Sequence, residues 1–158
     1  MANTQSMCTS FLGEVLTATH NFGTAPTRGT STADTFKAAL YLASATVNAS
    51  TTAYSSTGEV TGTNYTAGGV TVTNSTAPLS SNTSTTAGTG YWTPSASLTY
   101  TNVTLSTAFD AVLIYNSTQS DKAVSVHTFG SQTVTAGTFT LTMPANTTST
   151  ALLRIATT

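Results

Sequence analysis

Residues 109–130, FDAVLIYNSTQSDKAVSVHTFG, carry Asp110, Asp121, Lys122 and His127: two of the chain's five acids, one of its four basic side chains and one of its two histidines. A carboxylate beside an imidazole is the usual equipment for general acid–base work, provided the groups meet within hydrogen-bond reach. Glu14 and His20 are the nearest candidates to assist from outside. The spacing argues against convergence. A hairpin of 110–116 with 123–129 puts Asp110 and His127 near the end away from the turn and Asp121-Lys122 at the turn, several residues apart at about 3.3 Å each. Asp121-Lys122 then reads as a polar turn pair and Asp110 as a cap on the start of a strand. His127 alternates with Ser125, opposite Val124 and Val126, and reads as an exposed or interface side chain. No catalytic residue is expected.

Other chemistries fail sooner. Metal ligation needs three or four well-spaced ligands, and Glu14-x5-His20 reads better as a pair of helix-surface residues. There is no G-x-S-x-G nucleophile elbow. GTGYW and AGG are not followed by the lysine and helix of a phosphate-binding loop. Neither a metal nor a cofactor is expected, and the chain reads as not an enzyme.

Composition narrows the class further. Charged residues are 6% of the chain, against about 25% in ordinary globular proteins. Serine and threonine fill 59 of 158 positions, 40 of them threonine. Threonine is β-branched and suits a pleated, half-buried surface better than a helix, so a polar face built from hydroxyls points to an all-β protein. A net charge of −1 gives no footprint for nucleic acid and little attraction to anionic membranes. Such a surface also lacks colloidal repulsion, which favours life inside an assembly over life as a free monomer. Cys8, the single cysteine, lies in an apolar pattern and is expected to be a buried structural thiol. The N-terminus shows no secretory signal pattern, so synthesis in a reducing cytoplasm is expected. The seven Asn-x-Ser/Thr sequons follow from the abundance of hydroxyl residues.

Along the chain, Met7, Cys8, Phe11, Leu12, Val15 and Leu16 share one face of a helix over residues 5–20, with Asn21 and Gly23 as stop signals. A Gly/Pro/Thr loop follows at 24–33. Alternation then marks strands at 34–42 and 70–74, either side of a long excursion at 50–69. An exposed loop at 80–90 precedes Tyr91-Trp92. Further strands are expected at 97–105, 110–116, 123–129, 138–144 and near 151–155. About eight strands, one N-terminal helix and no βαβ alternation predict one domain over 1–158: an antiparallel β-sandwich, jelly-roll-like, with residues 34–158 forming the sandwich.

Three stretches carry a resemblance: SFLGEVLTATHNFG (10–23), the run from DTFKAALYL to VTVTN (34–74), and AVLIYNSTQSDKAVSVHTFG with GTFTLTMP (111–144). In this order they resemble a family of small virion structural proteins of tailed bacteriophages. The resemblance implies a capsid cement or decoration protein on the outside of the major capsid shell, made in the host cytoplasm, with the capsid protein and further copies of itself (a dimer or trimer on local axes) as partners. A tail or fibre component is the alternative, with Tyr91, Trp92 and Tyr100 stacking on host sugars. Contact regions are expected at 1–23 and 75–93, through Phe11, Leu12, Val15, Leu16, Tyr91 and Trp92. The helical face has two open readings, docking on a partner or packing on its own sandwich.

Overall fold

The structure, a computed structural model, describes residues 2–16, 18–23, 32–74, 77–83, 85 and 87–156. The loop expected at 24–33 therefore lies outside the described residues except for Thr32 and Ala33. In chain order the elements are β1 (Ser6–Met7), α1 (Thr9–Leu16), β2 (Phe36–Leu42), β3 (Val70–Val72), β4 (Leu79–Ser80), β5 (Thr89–Trp92), β6 (Leu98–Asn116), β7 (Lys122–Leu141) and β8 (Leu153–Ala156). They form two antiparallel sheets, ordered β1-β7-β6-β2-β3 and β4-β5-β8. This is an all-β sandwich with one short N-terminal helix, as the hydroxyl-rich composition and period-two patterning predict.

The strand divisions differ from those expected. Residues 97–105 and 110–116 belong to one strand, β6, and 123–129 and 138–144 are joined through β7. The pairing Leu98↔Leu141 and the pairing Val112↔His127 are in the same register, yet the register shifts repeatedly between Tyr100 and Ala111. Asn102 (φ 51) on one strand and Ala136 (φ 44) on the other take left-handed backbone in this zone. Irregularities on both strands cancel, so the hairpin bends without losing its pairing, the usual work of bulges. The bend folds the hairpin over itself. Leu98 and Leu141 from the outer half share a small cavity of about 110 Å³ with Val112, Ile114 and His127 from the inner half. Tyr100 reaches across to donate to the Ala38 carbonyl at 2.8 Å.

Between these halves lies an almost wholly apolar interior, including Phe36, Leu40, Phe109, Leu113, Val124 and Val126, each fully buried. Both faces of β2 and of the inner half of β6 are covered, which is why these segments read as continuous apolar runs. The excursion at 50–69 adds no strand and is laced onto the sheet by single bridges, Tyr41↔Glu59, Ala53↔Lys122 and Thr63↔Thr104. It passes so close to β2 that a side chain at Gly69 would overlap the Ala38 carbonyl oxygen, and Gly69 itself sits at φ 73.

The helix is shorter than the periodic pattern. It ends at Leu16 because Ala18 turns left-handed (φ 56), before the expected stop at Asn21 and Gly23. Ahead of the helix, Ser6 and Met7 pair with Val126 and Ser125 as an edge strand. Cys8 is fully buried. Burial, with a smaller contribution from the charge of Glu14, pushes its thiol up to about 11, which makes it the inert structural thiol expected.

Candidate functional site

Most of the charged side chains among the described residues are committed to internal ties. Glu14 on α1 accepts from Lys122 Nζ at 2.6 Å and lies 2.8 Å from His20 Nε2. The other ring nitrogen of His20, Nδ1, is 3.0 Å from Asn116 Nδ2, which also donates to Asp34 Oδ2 at 2.7 Å. Asn116 Oδ1 accepts from the backbone of Thr118 and Gln119, which fixes its amide orientation. His20 Nδ1 is therefore an acceptor and Nε2 the donor to Glu14. Asp34 completes the network by accepting from the Asn21 backbone at 2.9 Å. The His20 ring has no exposed surface, and both its nitrogens are occupied. Burial alone would raise the Glu14 carboxyl. The hydrogen bonds from Lys122 and His20 and the charge of Lys122 outweigh it and hold the carboxyl below its usual range.

Two more carboxylates act in the same way. Glu59, 6% exposed, accepts from the hydroxyls of Tyr54 (2.6 Å) and Tyr65 (2.8 Å) and from the Gly68 backbone (2.7 Å). Burial first, and the adjacent carboxylate second, push both phenols well above the usual tyrosine value. Asp110 accepts from Asn3 Nδ2 at 2.6 Å, while Asn3 Oδ1 accepts from the Val47 backbone at 3.0 Å.

These positions correct several expectations. Asp110 lies in the middle of β6 and fastens the N-terminal segment, so it caps no strand start. Asp121 and Lys122 do sit at the turn, but Lys122 pairs with Glu14 across the fold. Glu14 and His20 belong to a largely buried network and are not free helix-surface residues. His127 is half-buried, 2.9 Å from Ser125 Oγ, and burial lowers its imidazole to about 4. The sheet covers the Ser125–His127 side as well as the Val124–Val126 side, so the period-two argument for exposure fails here. Asp110, Asp121 and His127 do not come together. Among the described residues no cluster of three or more His, Cys, Asp or Glu is placed to hold a metal ion.

Four of the six residues expected to make contacts, Phe11, Val15, Tyr91 and Trp92, converge, and Leu12 and Leu16 do not line the same groove. Phe11 and Val15 from α1, with His20 and Phe22, face Tyr91, Trp92, Leu153 and Ile155 across a groove of about 220 Å³. Phe11 and Trp92 are 2% exposed and form its floor; Trp92 packs on Phe22 with ring centroids 4.7 Å apart. Phe11 packs on its own sandwich, as one of the two readings of the helical face has it, and Leu12, Val15 and Leu16 are exposed. Leu79 of β4 and Gly90 of β5, at the two ends of the expected loop at 80–90, add to the opposite wall. Tyr100 is 3% exposed, so burial removes Tyr100 and Trp92 from a sugar-stacking trio and leaves Tyr91 alone.

Asn3, Asp34, Glu59 and Asn116 drew no attention in the sequence. Glu59 left one trace: a lone acid in an uncharged excursion, with tyrosines five residues before and six after. The other three tie segments 40 to 107 positions apart, a relation no local spacing encodes.

Together these features define an all-β two-sheet protein in which most described charged groups fasten its own segments and three of the five exposed large apolar side chains, Val15, Leu79 and Ile155, line one groove. Comparison of the chain with family models, curated proteins and solved structures returns no match. Among the described residues no helix is long and apolar enough to cross a membrane.

Proposed function

We propose that this protein is a structural component of a tailed-bacteriophage virion: a cement or decoration protein that binds the outside of the major capsid shell and stabilises it. The observation that carries this reading is the use of charge. Three of the five carboxylates, Glu14, Asp34 and Asp110, hold sequence-distant parts of the chain together, and Glu59 ties the excursion at 50–69 to itself. What the molecule offers outward is hydroxyl-rich sheet surface and an apolar groove. Broad faces of this kind hydrogen-bond to a partner with little desolvation cost from charge, and repetition over a shell makes modest single contacts sufficient. Internal ties in place of disulfides suit a protein made in a reducing cytoplasm that later sits on a particle surface. The sequence resemblance to phage virion proteins supports the same reading.

The test is stoichiometry. Purified particles, quantified by mass spectrometry against the major capsid protein, are expected to carry hundreds of copies. A few copies per particle would point to a tail component and overturn the cement reading.

A further inference from the structure

A second hollow, of about 470 Å³, is lined from two segments, 44–47 and 51–58, with Tyr41 of β2. Its volume falls within the roughly 300–1,000 Å³ of small-molecule sites. Ala45 and Val47 are buried and make its floor apolar. Its rim carries hydroxyls, from Ser44, Thr46, Thr51, Ser55 and Thr57, and none of the lining residues is charged. The abundance of serine and threonine does not force such a lining. Among the described residues, no serine or threonine lines the apolar groove and two line the cavity under the hairpin. The hollow is also preformed. The N-terminal segment holds its first wall, with the Thr4 N–H donating to the Val47 carbonyl at 3.0 Å and the Thr9 N–H to the Ala49 carbonyl at 2.8 Å. The second wall is held by the Tyr54 N–H on the Asp121 carbonyl and the Leu42 N–H on the Gly58 carbonyl, both at 2.9 Å. Two rim oxygens are fixed by the backbone: Thr51 Oγ1 accepts from the Asn48 N–H at 3.0 Å and Ser55 Oγ from the Thr57 N–H at 3.2 Å. Each of these hydroxyls keeps its own proton to donate to a guest, and a site in place before binding loses little free energy to ordering.

We infer that this hollow binds a neutral sugar ring, a hexopyranoside, with a C–H face of the ring on Ala45 and Val47 and its hydroxyls on the rim oxygens. A sugar ring has the same division as the hollow: C–H groups on its faces, and hydroxyls around its edge that both donate and accept. Serine and threonine hydroxyls also do both, so the rim answers whichever role a ring hydroxyl takes. A charged sugar finds no counter-ion among the lining residues, and leaving its charge partly desolvated and unpaired is costly. The hollow shares no lining residue with the groove at Tyr91 and Trp92. The inference stands apart from the virion reading, because its test needs only the purified chain.

The methyl α-glycosides of glucose, mannose and galactose are titrated into the isotope-labelled full chain while its amide resonances are followed, with N-acetylneuraminate as the charged probe. At least one neutral glycoside is expected to shift the amides of residues 44–58 saturably, with a dissociation constant in the millimolar range, and N-acetylneuraminate to bind at least about tenfold more weakly. Ser44→Phe fills the hollow and is expected to weaken binding at least about tenfold. Ser55→Ala removes one rim donor and is expected to weaken it about threefold or more. Both positions are exposed, so both variants are expected to melt within about 2 °C of the wild type. No saturable shift up to roughly 100 mM, shifts centred on Tyr91 and Trp92, N-acetylneuraminate binding as tightly as the neutral glycosides, or either variant binding like the wild type would overturn the inference.

Discussion

His127 and Glu14 respond to acid in different windows. Burial favours the neutral imidazole of His127, lowering it to about 4 in the fold from about 6.5 in an unfolded chain. The unfolded state therefore takes up the proton first, and stability falls as pH drops from about 6.5 towards 4, by about 1–3 kcal/mol in total. Glu14 has the opposite chemistry, a carboxylate held low by Lys122 and His20, so its contribution is present above the ordinary carboxylate range and is lost only at more acid pH. His127→Gln is expected to flatten urea-unfolding stability between pH 6.5 and 4.5 and to leave the steeper loss below that window. An unchanged slope would show that the burial of His127 does not govern acid sensitivity. A second test addresses Asn116, whose amide donates to both His20 and Asp34. Asn116→Asp places a carboxylate against Asp34 in a buried site, and a loss of about 3 kcal/mol or more in denaturant unfolding is expected. A loss under about 1 kcal/mol would mean that the network is incidental to the fold.

At the scale of elements, what the sequence reveals depends on whether the cause is local. Alternation in VTVTN and in TFTLTMP, and the apolar run in DAVLIYN, are local consequences of a pleated strand with covered faces. The strands are found there. The union of 97–105 with 110–116 into one bent strand is not legible, because the shifts of register between Leu105 and Ala111 show only once the facing strand is known. The groove was partly legible: Phe11, Val15, Tyr91 and Trp92 were identified by apolar spacing and aromatic character, and they meet. Their division into floor and rim was not, since it depends on how α1 lies against β5 and β8. The close passage of the excursion over β2 gives a sharp test. At Gly69, any side chain overlaps backbone and the left-handed φ adds strain, so Gly69→Ala is expected to cost about 3 kcal/mol or more by thermal or denaturant unfolding. A near-neutral effect would show that the excursion can lift away from the sheet.

Over the whole molecule, a charge-poor protein uses most of its described carboxylates as fasteners and leaves hydroxyls and exposed apolar side chains outside. Net charge near zero gives little protection against association, which is a liability for a free monomer and an advantage for a protein that completes itself on other surfaces. The most direct test of the structural role is an electron cryo-microscopy map of particles carrying this protein. The account predicts additional density of this sandwich's shape repeated over the outer capsid surface. Density confined to the tail, or a shell surface without it, would contradict the account.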